Sequence, residues 1–285
     1  MGKLLLLALL TLTATGVNAA LWAENDYATG SNGLKKDTLT LYTTVSGRLA
    51  AGVGAGFYRN TAAYRDRVYY FRLPVMYSGT KYFVSLKPFV YPVSNGTRSG
   101  AHGGKLYLLY SLSEEADESY LHLGLSGAWA RQQARQNFGG AVRETKFSGS
   151  AFEAQVEKAF YGQFFLQASV SGFTKPAGVS NARLITPALD QAELAYTGTF
   201  SQVTALPEWV MSAQLARSMK PEFDSHLYAG YSKISYRGAG AANSGIAGMK
   251  LYLNQKSTLD LAYNFYKDEK ADWKNYFKLL LQVFF

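Results

Sequence analysis

The chain has 285 residues, a net charge of +9 and no cysteine, so disulfides, thiolate metal sites and cysteine nucleophiles are excluded. Its 29 basic residues are scattered along the sequence, so the charge does not predict a nucleic-acid-binding surface. The composition is rich in tyrosine, phenylalanine and glycine, with 21, 17 and 27 copies, and it has only 7 prolines. Such a composition favours strands joined by turns.

The N-terminus has the pattern of a secretory signal peptide. Lys3 precedes an apolar run at residues 4–10, and Val17 and Ala19 occupy the −3 and −1 positions of a cleavage site. We expect cleavage after Ala19, which divides the chain into a signal peptide at 1–19 and one exported domain at 20–285. The apolar run is too short to span a bilayer as a helix. The alternative is a buried N-terminal helix.

Alternation with a period of two recurs along the remainder of the chain, and helical periodicity is almost absent. Alternating segments cover residues 38–45, 49–58, 120–129, 164–171, 191–200 and 259–266. A soluble sandwich gives the same alternation. Segments near ten residues long, with aromatic residues clustered at their ends, favour a membrane-spanning barrel instead.

The connections between segments set the strand count. Long loops are predicted at 92–104, 132–141 and 174–187, and short turns at 78–80, 114–117 and 254–257. We expect about 14 strands, with 12 or 16 as the even-numbered alternatives. Counts from the two ends of the chain disagree by one element between residues 187 and 225. Residues 206–219 are therefore either a strand or a short periplasmic helix between Pro207 and Pro221.

The C-terminal segment has an apolar residue at every second position up to the last residue. This alternating set is Phe277, Leu279, Leu281, Val283 and Phe285. It resembles the closing strand of bacterial outer-membrane β-barrels, in which the terminal aromatic residue is read as an insertion signal. An edge strand of a soluble sheet is the alternative.

The resemblance implies an all-β fold, a transmembrane antiparallel up-and-down β-barrel in the outer membrane of a Gram-negative bacterium. It also implies two kinds of partner. These are the outer-membrane lipids, including lipopolysaccharide, and the barrel assembly machinery.

Polar residues between the apolar positions are predicted to face a wet lumen, because they are costly against lipid. These residues are Lys87, His122, Gln163, Gln167, Glu193, Lys250, Asp260, Asn264, Lys278 and Gln282. No cofactor is expected, and none of the three histidines has a metal-ligand spacing with another. Gly52, Gly54 and Gly56 alternate within a strand, which indicates room in the lumen or a bend in the strand rather than a phosphate-binding loop.

One short motif suggests an enzyme. The sequence Glu24-Asn25-Asp26-Tyr27 resembles the Asn-Asp pair on the first strand of barrel lipid A deacylases, which also use a distant histidine. No histidine-bearing segment matches that pattern, and a polar strand start explains the same residues. The favoured function is a porin-like channel for small polar solutes, with no catalytic residues assigned. The alternatives are an enzyme acting on lipid A or phospholipid and a structural barrel without a pore.

Overall fold

The structure, a computed structural model, describes residues 20–60, 64–93, 100–113, 119–138, 140–160, 163–175, 207–220, 223–237, 240–268 and 273–285. The predicted signal peptide, the turn predicted at 114–117 and the strand predicted at 191–200, with Glu193, lie outside these residues. Within the described ranges, no helix has both the length and the apolar character needed to cross a membrane.

The described residues form one antiparallel sheet. Its strands are β1 (Leu21–Gly30), β2 (Leu34–Ser46), β3 (Leu49–Asn60), β4 (Tyr64–Arg72), β5 (Val75–Ser78), β6 (Tyr82–Tyr91), β7 (Gly100–Ser111), β8 (Leu121–Phe138), β9 (Ala141–Phe160), β10 (Phe164–Phe173), β11 (Pro207–Lys220), β12 (Phe223–Tyr236), β13 (Gly240–Asn254), β14 (Ser257–Asp268) and β15 (Lys274–Phe284). A single 3-10 turn, Ser31–Gly33, joins β1 to β2.

We call each strand position around the barrel wall a stave. Strands β4 and β5 together occupy one stave. Both pair with β3 on one side and with β6 on the other. Leu73 and Pro74 separate them, because proline has no N–H to donate to the ladder. The carbonyl of Pro74 still accepts from the amide of Gly52 at 2.8 Å. The wall therefore has 14 staves, which confirms the expected strand number.

The first and last strands close the sheet into a barrel. β1 pairs with β15 from Trp22↔Phe284 to Gly30↔Tyr276, and it pairs with β2 on its other edge. Every stave thus has two neighbours, so the closed sheet has no edge strand. The predicted all-β, antiparallel up-and-down barrel is confirmed.

Residues 207–219 of this segment fall on β11, so the strand alternative is confirmed and the helix alternative is wrong. β11 pairs directly with β10 from Phe164↔Arg217 to Gly172↔Trp209. The conflict between the two strand counts disappears, because the closed wall has no strand between β10 and β11. Pro207 is tolerated because it is the first residue of its strand.

Two of the predicted loops contain strand residues. His102 lies within β7, and residues 132–138 continue β8, which pairs with β9 up to Phe138↔Ala141. Gly140 then makes the turn with a φ of 95°. The 18 paired residues of β8, at a strand tilt of about 40°, reach about 45 Å along the barrel axis. This β8–β9 hairpin therefore extends roughly 20 Å beyond an apolar band about 25 Å tall.

Contacts between distant strands identify the inner face. Arg72 on β4 contacts Glu24 on β1 across β2 and β3. Two side chains meet across intervening strands only on the concave side of a closed sheet. The strand registers then assign a face to every paired residue. The outer face is mostly apolar, and it includes Leu261 and Leu279, with Phe277 and Phe285 exposed on it.

Candidate functional site

Glycines on β3 leave space for side chains that cross the inner face. A Cβ atom on Gly54 would lie 2.7 Å from both Arg72 Cγ and Thr40 Oγ1. At Gly56, it would lie 2.9 Å from Thr38 Oγ1, and above this glycine Thr38 bonds to the Tyr70 hydroxyl. These positions need glycine because β2 and β4 contact each other over β3, which confirms the expectation that the glycines make room inside the barrel.

A chain of hydrogen bonds crosses the seam where β1 meets β15. Arg72 Nη2 donates to Glu24 Oε1 at 3.0 Å and to Thr40 Oγ1 at 2.6 Å. Gln282 Nε2 donates to the other Glu24 oxygen at 3.2 Å, and Gln282 Oε1 accepts from Thr258 Oγ1 at 3.0 Å. This seam network joins β14, β15, β1, β2 and β4. It satisfies the buried guanidinium of Arg72 and fixes the closing strands.

The inner face around β13 also has a side chain that crosses over a glycine. The Tyr228 hydroxyl donates to Asp260 Oδ1 at 2.6 Å, and it passes over Gly248, where a Cβ would lie 2.4 Å from the tyrosine ring. Lys250 stands in register with Asp260. Asn264 donates to Ser244 Oγ at 2.9 Å and to the Gly245 carbonyl at 2.8 Å. On this side the acid therefore accepts from a neutral donor and lies opposite a lysine in the strand register.

The inner face also contains a cavity of about 290 Å³ on β6, β7 and β9. We call it the lysine cavity. It is lined by Phe83, Ser85, Lys87, Lys105, Tyr107, Gln155 and Glu157. Lys87 and Lys105 face each other in register on adjacent strands.

The lysine cavity is bordered by a polar network on β8 and β9. Gln155 Nε2 donates to Glu157 Oε1 at 2.5 Å, and His122 Nδ1 lies 3.7 Å from Glu157 Oε2. The carboxylate of Glu157 therefore accepts a hydrogen bond from Gln155 and lies near His122 on the neighbouring strand.

Among the inner-face residues whose side chains the structure describes, basic residues outnumber acidic residues. The inward bases are Lys36, Arg72, Lys87, Lys105, Lys250, Lys274 and Lys278, and the inward acids are Glu24, Asp26, Glu153, Glu157 and Asp260. Seven against five leaves two excess positive charges, so the interior is slightly favourable to anions.

Eight of the ten residues predicted to face the lumen occupy inner-face register positions. They are Lys87, His122, Gln167, Lys250, Asp260, Asn264, Lys278 and Gln282. Gln163 does not lie in the wall: it is exposed in the turn before β10, where its amide bonds to the Phe160 carbonyl at 3.1 Å. Its place in the turn follows from the tight connection between β9 and β10.

Sequence reasoning missed several inner residues. Glu24, Arg72, Lys105, Tyr107 and Glu157 all line the interior. Lys105 was missed because residues 92–104 were predicted to be a loop, which left the register of the following strand open. The alternation of Val68, Tyr70 and Arg72 is a signal that could have found the arginine.

The residues that suggested catalysis do not assemble a site. Asn25 lies on the outer face and donates to Asp37 Oδ1 at 2.8 Å, whereas Asp26 points to the inner face in register with Thr38. His102, His122 and His226 lie on β7, β8 and β12, away from β1 and its two neighbours. No group of three His, Asp or Glu side chains able to hold a metal occurs in the described ranges.

The inner face changes character along the barrel axis. Buried apolar residues form one cluster toward the end that carries the tip of the β8–β9 hairpin. It contains Leu34, Val68, Tyr70, Phe89, Tyr91, Ala101, Ala128, Ala130, Ala151, Phe173, Val210, Ile234, Tyr236, Ala242, Tyr266 and Tyr276. The seam network, the Tyr228–Asp260 bond and the lysine cavity lie closer to the end that carries the C-terminus.

No family model matches the sequence, and no curated protein matches it. Among solved structures, Pseudomonas putida OprB superposes with a TM-score of 0.51 at 10% identity, covering 97% of this chain and 96% of that chain. OmpT of Vibrio cholerae with loop L8 deleted, an outer membrane protein, gives 0.47 at 10% identity, covering 94% and 99%. Pseudomonas aeruginosa OccK8 gives 0.47 at 8% identity, covering 94% and 97%. The likeness to OprB shows that the chain has the fold of a bacterial outer-membrane β-barrel.

Proposed function

We propose that the protein is an outer-membrane channel that passes small polar solutes. The observation that carries the proposal is the contrast between the two faces of the wall. The outer face is mostly apolar, whereas the inner face near mid-height has charged side chains of both signs. Each charged side chain would lose several kcal/mol of hydration free energy in a dry interior. A water-filled lumen avoids most of that loss, so these charges favour a channel. A wall of 14 staves is also wider than the eight-stave barrels that side chains fill.

The fold supports a definite orientation for this channel. Outer-membrane barrels place short turns in the periplasm and long connections outside. The turns at 47–48, 79–81 and 255–256 lie at the same end as the C-terminus. That end is therefore periplasmic in the proposal, and the β8–β9 hairpin extends into the medium. Export by a signal peptide cleaved after Ala19 completes the proposed route.

Conductance in planar lipid bilayers tests the proposal. We expect purified protein to insert in discrete steps, with a weak preference for anions because the inner face has two excess positive charges. Salt at 0.1 M screens such charges over about 10 Å, so the preference should grow as salt is diluted. The same protein, unfolded by heating, is the control. A folded barrel that gives no steps would contradict the channel and would direct attention to a structural or lipid-modifying barrel, the latter tested by mass spectrometry of host lipids.

Insertion of the chain gives a second prediction, which concerns Phe285. Its side chain is 70% exposed, while its backbone amide bonds to the Leu21 carbonyl at 2.9 Å. Phe285→Ala retains that backbone bond and should cost the folded wall little. If the terminal aromatic is an insertion signal, the variant should nevertheless show a lower outer-membrane yield and more periplasmic degradation.

The matched control is Trp273→Ala, which removes another exposed aromatic side chain at the opposite end of β15. Heat-modifiable migration in membrane fractions measures the folded yield of both variants. Equal yields of Phe285→Ala and the unaltered protein would show that the terminal aromatic is not a signal.

A further inference from the structure

Three basic side chains lie together on the outer face of β2, β3 and β4, toward the end of the barrel that is opposite the C-terminus. Lys35 on β2 is directly opposite Arg59 on β3. Arg67 on β4 lies over Phe57, the next outward residue of β3, with its Cζ 4.7 Å from the ring centroid. We call Lys35, Arg59 and Arg67 the basic cluster. Like charges directly opposite on neighbouring strands destabilise a sheet, so a bound anion would stabilise this part of the wall.

The charge of the basic cluster is not neutralised by the described residues around it. Asp37 is the acid on the same face of β2, and its Oδ1 accepts from Asn25 Nδ2 on β1 at 2.8 Å. None of the three cations has an ion-pair partner in the described ranges. The Nε atom of Arg59 is buried and donates to no group of the described chain. Three cations and one acid leave a net positive site with unused donors, which suits an anion.

The height of the basic cluster indicates the kind of molecule that carries this anion. From Leu49, the first residue of β3, a strand tilted by about 40° reaches Arg59 after a rise of about 26 Å, and the apolar band is about 25 Å tall. The cluster therefore lies at the border of the band. Leu39 and Tyr69 are 50% and 52% exposed on the same face, closer to its middle. Cations at the border with apolar side chains beside them fit an anionic lipid.

We propose that the basic cluster binds the phosphate headgroup of a membrane lipid, whose acyl chains lie along Leu39 and Tyr69. Guanidinium groups bind phosphate oxygens through two parallel hydrogen bonds, and a lysine adds a further charge. Arg59 and Arg67 therefore donate to the phosphate, and Lys35 neutralises its remaining charge. In the orientation proposed above, the site lies in the outer leaflet. The inference concerns the outer face of the wall, so it does not depend on the channel function.

Phosphatidic acid is the probe, because its headgroup is a phosphate without a further substituent. Phosphatidylcholine with the same acyl chains is the control for the headgroup, and inorganic phosphate is the control for the acyl chains. Native mass spectrometry of the folded barrel in a non-ionic detergent measures the apparent dissociation constant of the first bound lipid. We expect phosphatidic acid to bind at least about tenfold more tightly than phosphatidylcholine, the scale of one charge-assisted hydrogen bond. Inorganic phosphate should compete only at much higher concentration than the lipid.

Two double variants separate the basic cluster from the general surface charge. Lys35→Gln with Arg59→Gln removes the opposed pair. Lys233→Gln with Lys267→Gln removes the same charge from exposed outer positions of β12 and β14, where each lysine is in register with Asn243. Only the first should raise the apparent dissociation constant of phosphatidic acid, by about tenfold or more. In the second, the constant should stay within about twofold, because distant sites act independently.

Lys35→Gln alone changes an exposed side chain and gives a second test in vesicles. In phosphatidylcholine, it should leave the urea midpoint of unfolding unchanged or raise it, because it removes a like charge opposite Arg59. Adding phosphatidic acid should raise the midpoint of the unaltered protein, since a lipid that binds only the folded barrel stabilises it. Lys35→Gln should lose most of that increase. Heat-modifiable migration verifies that each variant is folded before it is measured.

Several results would overturn the site. They are equal weakening of phosphatidic acid binding in both double variants, equal affinity for phosphatidic acid and phosphatidylcholine, or competition by inorganic phosphate at the concentration of the lipid. Each of these leaves the channel function intact, because conductance in KCl should be the same in both double variants and in the unaltered protein. An absence of all conductance steps refutes the channel function and leaves the lipid site standing.

Discussion

Arg72→Gln and Glu24→Gln are expected to destabilise the barrel by similar amounts and to change its ion preference in opposite directions. Arg72 is 7% exposed and Glu24 is 19% exposed, and their side chains meet at 3.0 Å. Removing one partner leaves the other charge poorly compensated. Such a change costs about 3–5 kcal/mol in a fully buried pair. We expect about 2–3 kcal/mol here, because water in the lumen reaches Glu24.

The selectivity changes follow from the sign of the charge that is lost. Glu24→Gln removes a negative charge from the inner face next to the Arg72 guanidinium, so the reversal potential should shift toward anions. Arg72→Gln removes the positive charge and should shift it toward cations. A general loss of folding would instead change the stability and the reversal potential in the same direction for both variants.

Urea unfolding of the barrel in lipid vesicles measures the stability effect, and the double variant measures the coupling between the two residues. We expect the double variant to lose less than the sum of the single variants, because both charges are then absent. Arg217→Gln is the control, since Arg217 is an exposed arginine on the outer face of β11, in register with Phe164. If Arg72→Gln unfolds at the same urea concentration as Arg217→Gln, the seam network does not stabilise the closed wall.

Leu261→Arg is expected to cost the barrel about 2–4 kcal/mol, as for an arginine on the lipid face near mid-bilayer. Leu261 stands on the outer face between Met249 and Leu279. The neighbouring change, Asp260→Arg, should cost about 1 kcal/mol, because it removes one hydrogen bond from Tyr228 but leaves the new charge in the lumen.

Bilayer recordings distinguish Asp260→Arg from Leu261→Arg by their effects on ion selectivity. Asp260→Arg replaces a negative charge beside Lys250 with a positive one, so it should shift the reversal potential strongly toward anions. Leu261→Arg should leave the selectivity of the folded fraction unchanged, since its side chain does not reach the lumen. Urea unfolding and bilayer recordings on the same preparations check both statements. Equal stability losses at the two positions would contradict the assignment of faces.

The period-two alternation by itself determined where most strands lie and which side chains share a face. Residues 38–45, 259–266 and 274–284 are all strand, with the apolar set that alternation predicts on the outer face. This was predictable because a strand directs successive side chains to opposite faces whatever its partner. The strand count of 14 also followed, from the number of alternating segments and the even-number rule.

Contacts between distant strands were decided only by the tertiary structure. No local pattern relates Arg72 to Glu24, and Lys105 joins Lys87 only because β6 and β7 adopt one register among several. The same holds for residues 206–219, whose alternation suited a strand while Pro207 and Pro221 suited a helix. Direct pairing of β11 with β10 decided between them. Local sequence sets the face of each side chain, whereas closure of the barrel sets the register, and the register determines which inward charges meet.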